Sequence, residues 1–239
     1  MLEYLLIPIL IVLGFIVLVL FVAAIAGKGS KDESEGKPPF GWSSSIKNCD
    51  KLEQEAFGKK GENYVANMLE DLANTYNGHV FNDFTFKDEA GFSTNIDHIF
   101  ISRGGIFIIE TKSNKGIIYG NTNDETWYAQ KEDWQDDRIF KNPIKQNQGH
   151  INHLRKMMGK YPPKMISIVI FPFAEQINSD SETVFDIEAA KQFIIEKTDE
   201  NDYSENFPIK MCKKIQEIID IYGITIEEHK ENIKSKYNN

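Results

Sequence analysis

The chain has 239 residues, ordinary apolar and charged fractions, and a formal net charge of −9. That charge excludes a protein that coats nucleic acid by bulk attraction, while leaving room for a locally basic cleft. The two cysteines, Cys49 and Cys212, have neither metal-ligand spacing nor a disulfide pattern, which suits a reducing compartment.

Leu5 to Ala26 is a run of 22 residues without a charge, long enough at about 1.5 Å per residue to cross a bilayer core of about 30 Å. The spacing predicts a transmembrane helix, with residues 1–27 as an anchor. A cleaved signal peptide is the rival, given Ala24-Ile25-Ala26, but the run is too long and no basic residue precedes it. Lys28, Lys31 and Lys37 follow it, so the positive-inside rule predicts a single-pass protein of the cell membrane with its C-terminal part in the cytoplasm. Residues 28–50, rich in Gly, Ser, Lys and Pro, read as a flexible tether.

Lys51 to Tyr76 is helical by pattern, with Glu62, Val65, Leu69, Leu72 and Tyr76 on one stripe. Gly58 and Gly61 beside the start of that stripe would allow a close approach of backbone or ligand. Strands are expected at His79–Phe86, Asn95–Ser102, Gly105–Lys112, Lys115–Gly120 and Glu125–Gln130, forming an antiparallel meander. With Arg103-Gly104 as a two-residue turn, Ser102 pairs with Gly105 and Asp97 falls opposite Glu110. Directly opposed side chains have Cβ atoms roughly 5 Å apart, and two carboxylates that close repel unless a cation sits between them. Hard divalent ions such as Mg²⁺ choose such oxygens. Lys112 shares the Glu110 side of its strand, and the bland account of these two is an ion pair at a strand end.

From Arg138 to Lys164 there is no acid. Lys141, Lys145, Arg155 and Lys156 lie in this stretch, which suits phosphate-backbone binding. Its alternative is a solvated basic face. Asn142-Pro143 makes a helix start, after which Gln146, His150, His153 and Met157 recur at helical spacing. Met165–Phe171 reads as a strand buried on both faces. A short strand is expected at Thr183–Phe185, a final amphipathic helix at Phe207–Tyr222, and a polar tail thereafter that frays.

The ordered set Gly58-x-x-Gly61-Glu62, Asn95-Ile96-Asp97-His98, Gly105-Ile106-Phe107-Ile108-Ile109-Glu110-Thr111-Lys112, Gly116-x-x-x-Gly120, Trp127 and Asn142-Pro143-x-x-Gln146 resembles the nuclease-related domain (NERD), itself similar to the PD-(D/E)XK nucleases. The resemblance covers roughly Ala56 to Phe171. It implies an α/β fold: a restriction-endonuclease-like core with a central mixed β-sheet flanked by helices, over residues 51–174. Residues 175–239 then form an acidic C-terminal extension. It implies metal-dependent phosphodiester hydrolysis, most naturally in DNA, with RNA not excluded and pairing into a homodimer compatible. Asp97 and Glu110 would hold Mg²⁺ or Mn²⁺, and Glu62 would add a metal contact. Lys112 would stabilise developing phosphate charge, and Gln146 would orient substrate. The superfamily's leading Pro is replaced here by Ile96. The competing functional reading is a catalytically silent DNA-binding or tethering module at the membrane.

Overall fold

A computed structural model describes residues 42–130, 138–160 and 162–237. The predicted membrane segment Leu5–Ala26 lies outside the described residues. Among those described, no helix is long and apolar enough to cross a membrane. Residues 49–239 form one compact unit.

The first helix, α1, runs Trp42–Tyr76. It starts at Trp42 rather than Lys51, inside the stretch expected to be a tether; beyond Pro39 nothing in the sequence breaks a helix before Tyr76 except isolated glycines, whose cost of about 1 kcal/mol each a long helix absorbs. Nine strands follow in the order β1 (His79–Lys87), β2 (Ser93–Ser102), β3 (Gly105–Thr111), β4 (Gly116–Tyr119), β5 (Thr126–Gln130), β6 (Arg138–Lys141), β7 (Met165–Ile170), β8 (Ala174–Asn178) and β9 (Val184–Phe185). Helix α2 (Pro143–Met157) separates β6 from β7, and α3 (Ile187–Asp199), α4 (Phe207–Tyr222) and α5 (Ile226–Tyr237) close the chain.

The strands make two sheets, β1-β2-β3-β7-β9 and β6-β5-β4-β8. This corrects the single meander. β1, β2 and β3 are antiparallel neighbours, but β3 pairs on its other side with β7, in parallel. The chain leaves β3 through Lys112, whose N–H still bonds Ile170 O at 2.9 Å, and turns at Gly116 with φ 83°, a left-handed conformation natural to glycine. β4 then joins β5 and β8. The first sheet is mixed and helices cover both faces. Val65, Leu69 and Leu72 of α1 and Ala190 and Ile194 of α3 pack with Phe107, Ile109 and Ile168. Ile151 and Leu154 of α2 and Met211, Ile215 and Ile218 of α4 pack with Ile99, Ile101, Ile106 and Ile108. The C-terminal segment thus shares the central core. Each such aliphatic side chain contributes about 1.5–3 kcal/mol by leaving water.

The chain does not fray after α4. Thr225 Oγ1 accepts the N–H of Glu228, and Glu228 Oε2 accepts the N–H of Thr225, a reciprocal capping box that starts α5. The second sheet is anchored by Trp127, which is buried and donates Nε1–H to Asn121 O. A Cβ at Gly120 would stand 2.1 Å from the Trp127 ring, so that position requires glycine.

Candidate functional site

The turn at Arg103-Gly104 sets Ser102 opposite Gly105, and pairing runs back to His98 opposite Ile109. Asp97 and Glu110 occupy the next rung, the register expected from the two-residue turn. There the ladder gives way, and Asp97 Oδ2 accepts the backbone N–H of Thr111 at 2.8 Å. Strand alternation also slips at this level. Phe81 and Phe84 share one core cluster, as do Ile96 and Ile99, although a regular pleat would put the members of each pair on opposite faces. Asp83, between the two phenylalanines, has φ 52°. The sheet is therefore kinked where its carboxylates gather, a common device for re-aiming side chains.

Glu110 is 2% exposed. Lys112 Nζ donates to Glu110 Oε1 at 2.7 Å and to Gln146 Oε1 at 3.0 Å. Glu110 Oε2 lies 3.2 Å from His150 Nε2, off the line of a hydrogen bond, and both atoms are buried without a hydrogen-bond partner. Burial acts to raise the Glu110 carboxyl, but the Lys112 ammonium, followed by His150, outweighs it and holds the group below its ordinary range. Asp97 goes the other way. Burial first, and then the charge of Glu110, push its carboxyl well above the usual value. The two carboxylates are thus driven apart in proton affinity, as expected of neighbouring like charges in a desolvated place.

A second cluster lies beside it. Lys59 on α1 donates to Glu62 at 3.1 Å and to Asp83 at 2.5 Å. Its ammonium is held charged: burial is the largest influence and opposes this, but the bonds to Asp83 and Glu62 prevail. Glu62 bears on Asp97 electrostatically and its side chain is otherwise tied to Lys59. His98 is buried, with Nδ1 2.7 Å from Asn82 Oδ1. Burial lowers its pKa to about 4. Gly61 faces the loop after β3, since a Cβ there would lie 2.1 Å from Ser113 Oγ. Gly58 has open space around it, so of the two glycines only Gly61 serves a close approach; Gly58 contributes its carbonyl, which accepts Ser113 Oγ–H at 3.1 Å.

Helix α2 is placed by two asparagines. Asn142 caps it, accepting from the N–H groups of Ile144 and Lys145, while its amide donates to the carbonyls of Asn121, Thr122 and Asp124. Asn147, wholly buried, donates to Ile108 O, Ser167 Oγ and Ile168 O. That clamp fixes the rotation of α2 on β3 and β7, which brings Gln146 and His150 over Lys112 and Glu110. Of the basic residues, Lys145 is paired with Glu125 at 2.5 Å. Lys141, Arg155 and Lys156 are exposed. Arg155 lies nine residues beyond Gln146, about 13 Å along the helix at 1.5 Å per residue.

The structure thus brings Asp97, Glu110, Lys112 and Gln146 together and leaves Glu62 in the neighbouring ion-pair network. His150, Asn147 and Asp83 are the participants that sequence reasoning passed over. The signal for His150 was its place one helical turn after Gln146; Asp83 left none, because its backbone turn is irregular. A divalent cation suits this site: the donors are carboxylate oxygens, one of them buried and orphaned, and the Asp97–Glu110 repulsion is what a cation would relieve. Among the described residues, no three His, Cys, Asp or Glu side chains stand close enough to hold one ion without adjustment.

Comparison with known proteins agrees with this geometry. Residues 57–172 match the family model described as the nuclease-related domain. An uncharacterized protein of Bacillus anthracis is 34% identical over 114 residues, which is 48% of this chain and 52% of that protein. The chain therefore spans about half the length of that relative. No solved structure matches.

Proposed function

We propose that the domain is a metal-dependent nuclease that hydrolyses phosphodiester bonds in DNA, held at the cytoplasmic side of the cell membrane by the apolar segment Leu5–Ala26. The coarser part of this rests on the family match, since residues 57–172 carry a nuclease-related domain. The observation that carries the rest is Glu110 Oε2, a buried carboxylate oxygen left without a hydrogen-bond partner beside Asp97. Such an atom is costly to bury, and in a kinked, charged strand end it argues for a ligand.

Asp97 and Glu110 would hold Mg²⁺ or Mn²⁺, which when bound supplies Lewis acidity and a lowered water pKa. The remaining steps belong to the chain. Lys112, steadied between Glu110 and Gln146, sets a positive charge where negative charge grows on the phosphate oxygens. Gln146 is exposed, and its amide nitrogen is free to donate to a phosphate oxygen while its oxygen restrains the lysine. Glu62 would have to leave Lys59 to orient a water or touch the ion. Lys141, Arg155 and Lys156 would meet the backbone of the polynucleotide, and Lys145 would exchange Glu125 for a phosphate.

The test is plasmid nicking and single-strand degradation by the full chain in detergent with Mg²⁺, Mn²⁺ or EDTA, beside Glu110→Ala. The expected result is cleavage that needs the ion and vanishes in the variant. One observation favours a second reading, a silent DNA-binding module: the absence of a preassembled three-ligand cluster among the described residues. That reading predicts no cleavage, with salt-sensitive DNA binding unchanged by Asp97→Ala.

A further inference from the structure

We propose that His150 is a ligand of the metal ion, so that the donor set is Asp97, Glu110 and His150 and favours a transition ion such as Mn²⁺ over Mg²⁺. The proposal rests on the nuclease reading above and sharpens its site. Its basis is the pair of atoms that face each other at the buried end of the site. Glu110 Oε2 and His150 Nε2 are 3.2 Å apart, yet neither has a hydrogen-bond partner. Two atoms bound to one ion at about 2.1 Å each, and roughly at right angles, lie about 3 Å apart. The observed separation is therefore that of two ligands of one ion.

The ordinary alternative is an ion pair between a protonated His150 and Glu110. Two observations count against it. Glu110 already has a full cation at 2.7 Å in Lys112, so a second cation has little left to neutralise. The Glu110 oxygen is also off the direction in which an Nε2–H would point, whereas a partner placed between the two atoms restores both. His150 is held in place by the helix itself, since Asn147, three residues earlier, is clamped to β3 and β7. Glu62, the other candidate for a third ligand, is engaged by Lys59, which is also bound to Asp83. Imidazole nitrogen is a poor ligand for Mg²⁺ and a good one for Mn²⁺ and later divalent ions, which sets the direction of the preference.

The experiment titrates Mn²⁺ and Mg²⁺ into the full chain in detergent by calorimetry, and records pulsed electron paramagnetic resonance of bound Mn²⁺ on protein carrying ¹⁴N- or ¹⁵N-histidine. Expected are tighter binding of Mn²⁺ than of Mg²⁺ and a histidine nitrogen modulation that changes with the isotope. In His150→Leu the modulation should disappear and Mn²⁺ affinity fall by about tenfold or more, while in Glu62→Gln the modulation persists. Isotope labelling needs no substitution, so the proposal remains testable if His150→Leu does not fold. Mn²⁺ bound without any nitrogen modulation, and lost in Asp97→Ala, overturns the histidine ligand and leaves the nuclease reading intact. Absence of both Mn²⁺ and Mg²⁺ binding overturns both.

Discussion

Two charged clusters lie side by side where the first sheet kinks, and they obey opposite rules. In one, Lys59 stands between Glu62 and Asp83, with side chains 51%, 28% and 33% exposed; every charge has a partner and a share of solvent. In the other, Asp97 and Glu110 are desolvated like charges, one cation serves Glu110, and two polar atoms face each other with nothing between them. Satisfied networks stabilise or orient, whereas an unsatisfied buried group persists only where something else needs it. By that contrast the second cluster is the place for chemistry and the first is its support, although both contain the residue types a nuclease motif would recruit.

The contrast breaks first at Glu110. Removing its charge without changing its shape, in Glu110→Gln, should lower metal-dependent DNA cleavage by about 10³-fold, the scale of losing one charge-stabilising group in a reacting site. Glu62→Gln should cost only about tenfold, because Glu62 reaches the site through its charge rather than through contact. Single-turnover cleavage of a radiolabelled strand at saturating Mn²⁺ measures both. Equal losses would mean that Glu62 leaves Lys59 during the reaction and that the two clusters work as one.

A pH measurement sharpens the same contrast. His98 titrates at about 4 in the folded chain, against about 6.5 when unfolded. Between those values the unfolded chain binds more protons, so stability falls as pH falls from about 6.5 and the loss is complete near 4. The full difference is about 3 kcal/mol. Urea unfolding in EDTA at pH 7 and pH 4.5 should show a steeper loss for the native chain than for His98→Gln, which lacks the titrating ring. The carboxylates of both clusters titrate alike in the two proteins, so the difference isolates His98. Identical slopes would mean that the ring gains a proton without unfolding.

The elements visible from sequence are those whose periodicity is local. The hairpin register follows from the Arg103-Gly104 turn, which is why Asp97 and Glu110 could be placed abreast. The α4 stripe and the Asn142-Pro143 helix start were equally legible. The division into two sheets was not, because nothing in Lys112–Gly116 states whether β4 returns to β3 or leaves it; that is decided by β7, whose partner lies about fifty residues away in sequence. The Thr225-x-x-Glu228 capping box was present but hidden in a polar tail. At the site, sequence reasoning could group Glu62 with Asp97 and Glu110 by family pattern. It could not see that Lys59 reaches Glu62 first, nor that Asn147 turns His150 toward Glu110.

The smallest effect is the most discriminating. Lys59→Met and Lys112→Met each remove one ammonium from between two oxygen acceptors. Lys59 is half exposed and its carboxylates are partly solvated, so water takes over much of its role, and the loss of stability should stay near or below about 1 kcal/mol. Lys112 serves a carboxylate that is 2% exposed. Its removal strands a buried charge, which costs about 3–5 kcal/mol unless the carboxylate takes up a proton or a cation. Added Mn²⁺ should therefore recover stability in Lys112→Met by occupying the vacated charge balance, and do so far less in Lys59→Met. Thermal unfolding of both variants, with and without the ion, separates the cases. If the two lysines cost the same and respond alike, the satisfied and unsatisfied clusters are one continuous network, and the orphaned Glu110 oxygen has no claim to mark the site.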